Sequence, residues 1–173
     1  MSNSNRPYPF NLVYKLNNII RYANVSRISY ENVAIHSYHV ACIVMQLYLD
    51  YKFNLENALV MALSHDMPET EIDDISHATK ARFPDVAKAL KAAEGSVIDN
   101  YPAFMKGAIS NFEQGKSVEA IIVQIADADQ CTQYTEYEIK HLGNTSSEME
   151  TIYHDSIVRA EKLKLSITEY KRV

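Results

Sequence analysis

Residues that break helices are few in this chain, and they fall at wide, regular intervals. There are four Gly and five Pro in 173 residues. Between Pro68, Pro84, Pro102, Gly115 and Gly143 lie long stretches of Ala, Leu, Ile, Lys, Glu and Gln. A β-sandwich or barrel needs many more turn residues than this, so helices joined by short loops are the architecture open to the chain. A single domain spanning 1–173 is expected, behind a polar lead-in at 1–8.

Apolar spacing locates the helices. Phe10, Val13, Leu16, Ile19 and Ile20 predict a first helix over 9–23. Ser29 is the expected N-cap of a long helix over 30–51, with Val33, Ser37, Val40, Ala41, Val44 and Leu47 on its inner stripe. Asn54 caps a very apolar helix over 55–66, and Pro68 forces a kink or restart. Residues 70–84 read as loop with a short helical turn. Pro84 and Pro102 open further helices, to about 100 and 114. A long helix over 118–141 starts almost wholly apolar, and an amphipathic one over 147–170 closes the chain. The fold class is all-α, a bundle of about six to seven helices.

The apolar run ending at Ser64 delivers His65-Asp66 at the end of its helix, followed by Met67-Pro68-Glu69. Adjacent His and Asp can reach one cation where the backbone turns at a helix end. His36 upstream and Asp127 downstream complete a set of four N and O donors, which suits zinc, manganese or cobalt. Such an ion generates hydroxide near neutral pH that can attack a phosphate. The weight rests on context, since the dipeptide recurs as His154-Asp155 in the charged final helix and there reads as a solvated face. His36 alone would be an ordinary core histidine. Asp127 lies inside Ile-Ala-Asp-Ala, where a charge is costly to bury unless paired or metal-bound. Asp129 reads as exposed, and His141 as a helix C-terminal residue complementing the dipole.

Glu69, one turn past His65-Asp66, could move a proton. Arg21 and Lys80 are the cations for a phosphate, and Tyr22 could lie against a sugar or base. The net charge of -5 argues against a nucleic-acid polymer or an anionic membrane as partner, without excluding a small phosphate ligand. Cys42 and Cys131 lack a CxxC spacing and read as reduced thiols. No apolar run nears a membrane span of roughly 20 residues, and the polar start is no signal peptide, so a cytoplasmic location is expected.

The ordered set His36, His65-Asp66, Asp127 resembles the HD-domain metal-dependent phosphohydrolases, which are all-α. The closer likeness is to bacterial 5′-deoxynucleotidases of the YfbR type. Arg21-Tyr22, a gap, then Glu31-Asn32-Val33-Ala34-Ile35-His36-Ser37 looks like that family's Arg-Trp, gap, Glu-Asn-Val-Ser-Glu-His-Ser. His65-Asp66-Met67-Pro68-Glu69 followed by Asp74 looks like its His-Asp-x-x-Glu and Gly-Asp. Val123-Gln124-Ile125-Ala126-Asp127-Ala128 resembles its Lys-Gln-Ala-Asp-Ala element, shifted by a residue.

This resemblance implies one divalent metal on His36, His65, Asp66 and Asp127, with Glu69 handling the proton and Arg21 orienting the phosphate. It implies that Asp74 receives a sugar 3′-hydroxyl, that Ile75, Ser76 and His77 line the nucleotide, and that Lys80 lies near the phosphate. The chain departs from the pattern at Tyr22 for Trp, Asp73 for Gly and Ser76 for Pro. The expected reaction removes the 5′-phosphate of deoxynucleoside monophosphates by attack of a metal-bound water. Short phage relatives of the DatZ type, which release triphosphate from dATP, give a second reading, with a further Mg-like ion and extra cations such as Lys106 or Lys116. A non-catalytic metal- or nucleotide-binding module would be favoured by loss of Glu69 or of one ligand, and all are present. A helical interaction protein without a site is disfavoured by Asp127 in its apolar run. An apolar groove on the terminal helices suggests a homodimer or higher homo-oligomer.

Overall fold

The computed structural model describes residues 8–171. The helices are α1 (Val33–Asp50), α2 (Leu55–Ser64), α3 (Glu69–Ile72), α4 (His77–Arg82), α5 (Pro84–Ile98), α6 (Ala103–Gln114), α7 (Val118–Glu136) and α8 (Ser147–Ser166). A π-turn at Tyr137–His141 extends α7, and short 3-10 turns occupy Val13–Asn17 and Thr168–Tyr170. No strand forms among the described residues; two isolated antiparallel bridges, Ile20 with Asn32 and Tyr51 with Lys171, are the only extended pairings there. The all-α expectation holds.

α7 is the axis of the bundle. Ala120, Ile122, Val123, Ile125, Ala126 and Ala128 are all fully buried, because α1, α2, α6 and α8 pack around it. Val40, Val44 and Leu47 of α1 and Met61 and Ala62 of α2 complete this core. A second cluster gathers Leu16, Ile19, Val33, Met67, Tyr101, Met105 and Ile109 under the N-terminal segment.

Capping follows local chemistry. Asn54 accepts from the Asn57 amide at 3.0 Å, and Ser117 from the Ala120 amide at 3.1 Å. Gly115 closes α6 in the left-handed conformation, φ 60°, where a Cβ would stand 2.9 Å from the Gln124 side chain.

Two expectations fail. Residues 9–23 do not form one helix: a 3-10 turn ends at Asn17, and Ile20 pairs with Asn32. Leu16 and Ile19 are buried as expected, but Phe10 and Val13 are exposed. The bridge hydrogen bonds, Arg21 N–H to the Glu31 carbonyl and Val33 N–H to the Ile19 carbonyl, both 3.1 Å, outcompete helical ones in a segment holding two adjacent asparagines. Nor is Ser29 the cap of α1. Asn32 caps it, accepting from the Ile35 amide at 2.9 Å, while Ser29 turns to Glu138. Elsewhere α3 and α4 fill much of the stretch expected as loop, and α2 stops at Ser64 because Pro68 restarts the chain.

Candidate metal and phosphate site

Three elements converge beside α7. His36 comes from the first turn of α1, His65 from the cap of α2, and Asp127 from the middle of α7. One donor atom from each of these lies within 4.8 Å of the others. Asp66 stands outside that triple but joins it in space: its Oδ2 is 3.3 Å from both His36 Nε2 and His65 Nε2. Asp127 Oδ1 lies 3.4 Å from His36 Nε2. The structure therefore brings together all four residues singled out in the sequence.

Both Nε2 atoms are buried and hydrogen-bond to nothing. His65 Nδ1 sits 2.9 Å from the Ala62 carbonyl, which only accepts, so Nδ1 carries the proton and Nε2 presents a lone pair. His36 Nδ1 lies 2.8 Å from Gln130 Oε1. Carboxylate oxygens facing such lone pairs repel them unless a cation lies between. The nitrogen and oxygen donors fit a borderline divalent ion.

Arg21 reaches the cluster from the bridge segment. Its guanidinium is nearly buried, with Nε 3.9 Å from Glu31 Oε2 and Nη1 without a partner. Burial works against its charge, but Tyr22, Asp127, Asp66 and Glu31 outweigh this and hold it firmly cationic. Glu69, at the start of α3, buries Oε2 without a partner. Burial, followed by the charges of Asp66 and Asp74, pushes its carboxyl up to about 10, against the pull of Arg21 and Lys80. Glu69 can thus hold a proton at neutral pH.

Beside this floor opens a recess of about 230 Å³ lined by Tyr22, Ala23, Asn24, Asp74, Ile75, Ser76 and Thr79. Tyr22 adopts φ 56°, a left-handed turn that swings its ring against Tyr134, stacked at 4.8 Å and 7°, with its hydroxyl donating to Cys131 Sγ at 3.2 Å. Burial raises the Asp74 carboxyl, as do Asp66 and Asp127, against Arg21 and Lys80. Tyr22, Asp74, Ile75 and Ser76 therefore share one wall, and the charge of Lys80 is felt by Glu69 and Asp74. The side chain of His77 lies outside the described set; its backbone opens α4.

Some residues had no role in the sequence reading. Gln130 is on the Asp127 face of α7 one turn on, so helical spacing could have found it. Arg159 of α8 holds Asp127 Oδ2 at 2.9 Å and carried no local signal. Asp129, expected to be exposed, is half-buried and paired with Lys164 at 3.0 Å. Lys106 pairs with Asp99 at 3.8 Å and Lys116 is exposed; neither contacts the cluster.

A family model described as HD domain matches residues 13–165 and spans every element that feeds this cluster. The chain belongs to the HD-domain family. Solved structures share the fold. A conserved hypothetical protein from Pyrococcus furiosus is 24% identical, TM-score 0.72, with 91% of this chain and 90% of that one covered. A Pyrococcus horikoshii protein is 24% identical, TM-score 0.76, with the same coverage. An HD-domain phosphohydrolase from Listeria innocua is 23% identical, TM-score 0.71, covering 91% of this chain and 84% of its own. No curated protein matches the chain. No helix among the described residues is long and apolar enough to cross a membrane.

Proposed function

We propose that this HD domain is a metal-dependent phosphohydrolase that removes the 5′-phosphate from deoxyribonucleoside monophosphates. The observation that carries the reading is the convergence of two unpartnered imidazole nitrogens and two carboxylates next to the Arg21 guanidinium and the Glu69 carboxyl. His36, His65, Asp66 and Asp127 would hold one divalent ion. When bound, that ion supplies a nucleophile from water at neutral pH and positive charge for phosphate oxygens.

The chain's own residues do the rest. Arg21 offers a free Nη1 to a phosphate oxygen and stabilises charge developing there. Glu69 gives its proton to the departing 5′ oxygen as the P–O bond breaks, and recovers one from the attacking water. Asp74, at the recess wall, accepts from a sugar 3′-hydroxyl, and the Tyr22–Tyr134 stack backs the same recess. The resemblance to YfbR-type nucleotidases supports this assignment of substrate.

One observation favours a second reading, release of triphosphate from a deoxynucleoside triphosphate as in DatZ-type enzymes. Arg159 adds a cation at the cluster beyond Arg21 and Lys80, and its side chain is half exposed. It ranks second because Asp127 already neutralises it.

Product analysis of protein loaded with cobalt, manganese or zinc decides between them, using all dNMPs, dNTPs and their ribose counterparts. Single phosphate from dNMPs, lost in Asp66→Ala, is the expected result. Triphosphate from a dNTP moves the protein to the second reading. No turnover with any metal overturns both and leaves a binding module.

A further inference from the structure

The two histidines of the cluster are held differently. His65 leans on a main-chain carbonyl, which can only accept. His36 leans on an amide side chain, and an amide offers an acceptor at one end and donors at the other. Gln130 alone could therefore serve either tautomer of His36. The decision falls to Glu31, whose Oε1 takes Gln130 Nε2 at 2.6 Å. A carboxylate accepts only, so it fixes the amide nitrogen toward itself and the amide oxygen toward His36. His36, Gln130 and Glu31 are exposed by only 0%, 2% and 3%, so bulk solvent has little access to loosen the chain of hydrogen bonds. The other oxygen of Glu31 faces the Arg21 guanidinium.

We propose that Gln130 is a positioning residue for the metal site: it locks His36 in the Nδ1–H tautomer, and Glu31 sets the direction of the amide that does so. An Nε2–H tautomer would point a proton at Asp66 and Asp127 and remove a ligand. The same chain of contacts joins the phosphate-side Arg21 to a metal-side histidine through two buried side chains. This inference rests on the metal site of the reading above and is independent of the substrate.

The test begins with metal-free protein labelled with ¹⁵N-histidine, at a pH where the His36 imidazole is neutral. Long-range ¹H–¹⁵N spectra should show His36 as a single Nδ1–H form. Gln130→Met keeps the length of the side chain without its hydrogen bonds, and should lose that single form while circular dichroism stays helical. Titration with manganese or cobalt should then give a Kd raised ten- to a hundredfold, the usual scale for loss of a group that orients a ligand. Glu31→Gln, which frees the amide to turn, should weaken binding in the same direction. An Nε2–H form of His36 in the wild-type spectrum overturns the proposal, and so does an unchanged tautomer and Kd in Gln130→Met. Should that variant not fold, the wild-type spectrum still decides. Absence of nucleotide turnover with tautomer and metal affinity intact would sink the phosphohydrolase reading and leave this one standing.

Discussion

Glu138 is fully buried in the π-turn after α7, yet it is the best-served carboxylate among the described residues. It accepts from the Ile28 amide and from the Asn144 side chain, both at 2.8 Å, and from the amide and hydroxyl of Ser29. These contacts pin the loop that follows Arg21 and Tyr22. Burial alone would raise its carboxyl, but the donors outweigh burial and hold it below its ordinary 4.5. A folded-state value below the unfolded one means the contribution to stability is complete above pH 4.5 and is lost as pH falls through the lower folded value. Glu138→Gln sets an amide donor against those donors and should cost about 2–3 kcal/mol at neutral pH. Denaturant unfolding across pH checks this: the gap between wild type and variant should narrow below pH 4.5. A gap that does not change with pH would refute it. Nothing in the local sequence announces this residue, because Ile28 and Ser29, which supply most of its donors, lie in a loop more than a hundred positions upstream. His36, His65, Asp66 and Asp127 were legible for the opposite reason. Each is a polar residue in or at the edge of an apolar run, where burial without a partner is expensive.

At the scale of elements, the junction from α2 to α4 carries the chemistry. α2 ends where Pro68 restarts the chain, and that restart places His65, Asp66 and Glu69 within one short stretch. α3 ends at Asp73 with φ 60° and ψ 168°, a region in which only glycine is comfortable. An aspartate side chain does not suit this conformation. Asp73→Gly should relieve strain and stabilise the fold by about 1 kcal/mol. Calorimetry would read this as a Tm higher by roughly 2–4 °C for a domain this size, and a lower Tm would contradict it. Long helices were readable from spacing, and one of them also from its cap, since Asn54 acts locally. The N-terminal segment was not, because its Ile20–Asn32 pairing is a tertiary choice between a frayed helix and a two-residue ladder. Ser29 misled for a similar reason: Asn32 offered a better-placed oxygen, and Glu138 claimed the hydroxyl.

For the whole molecule, the site is a place where α1, the end of α2 and α7 are drawn together from distant parts of the chain, with α8 tied in through Arg159 on Asp127 and Lys164 on Asp129. Binding an ion to the folded state alone stabilises it by about 2.7 kcal/mol at a hundredfold excess over Kd. Manganese or cobalt should therefore raise Tm by several degrees, and His36→Ala or Asp127→Ala should abolish the rise. A rise that persists in both variants would place the ion elsewhere. The converging donors have a consequence for the life of the protein in its cell. An ion held there, as proposed, would tie three separated helices together as a removable staple. Without it, these donors would lack the central charge that draws them together at the point where α2 hands over to α3. Metal-starved molecules should open there first and meet proteases there first, so the supply of the ion would govern how long each copy lasts as well as whether it works.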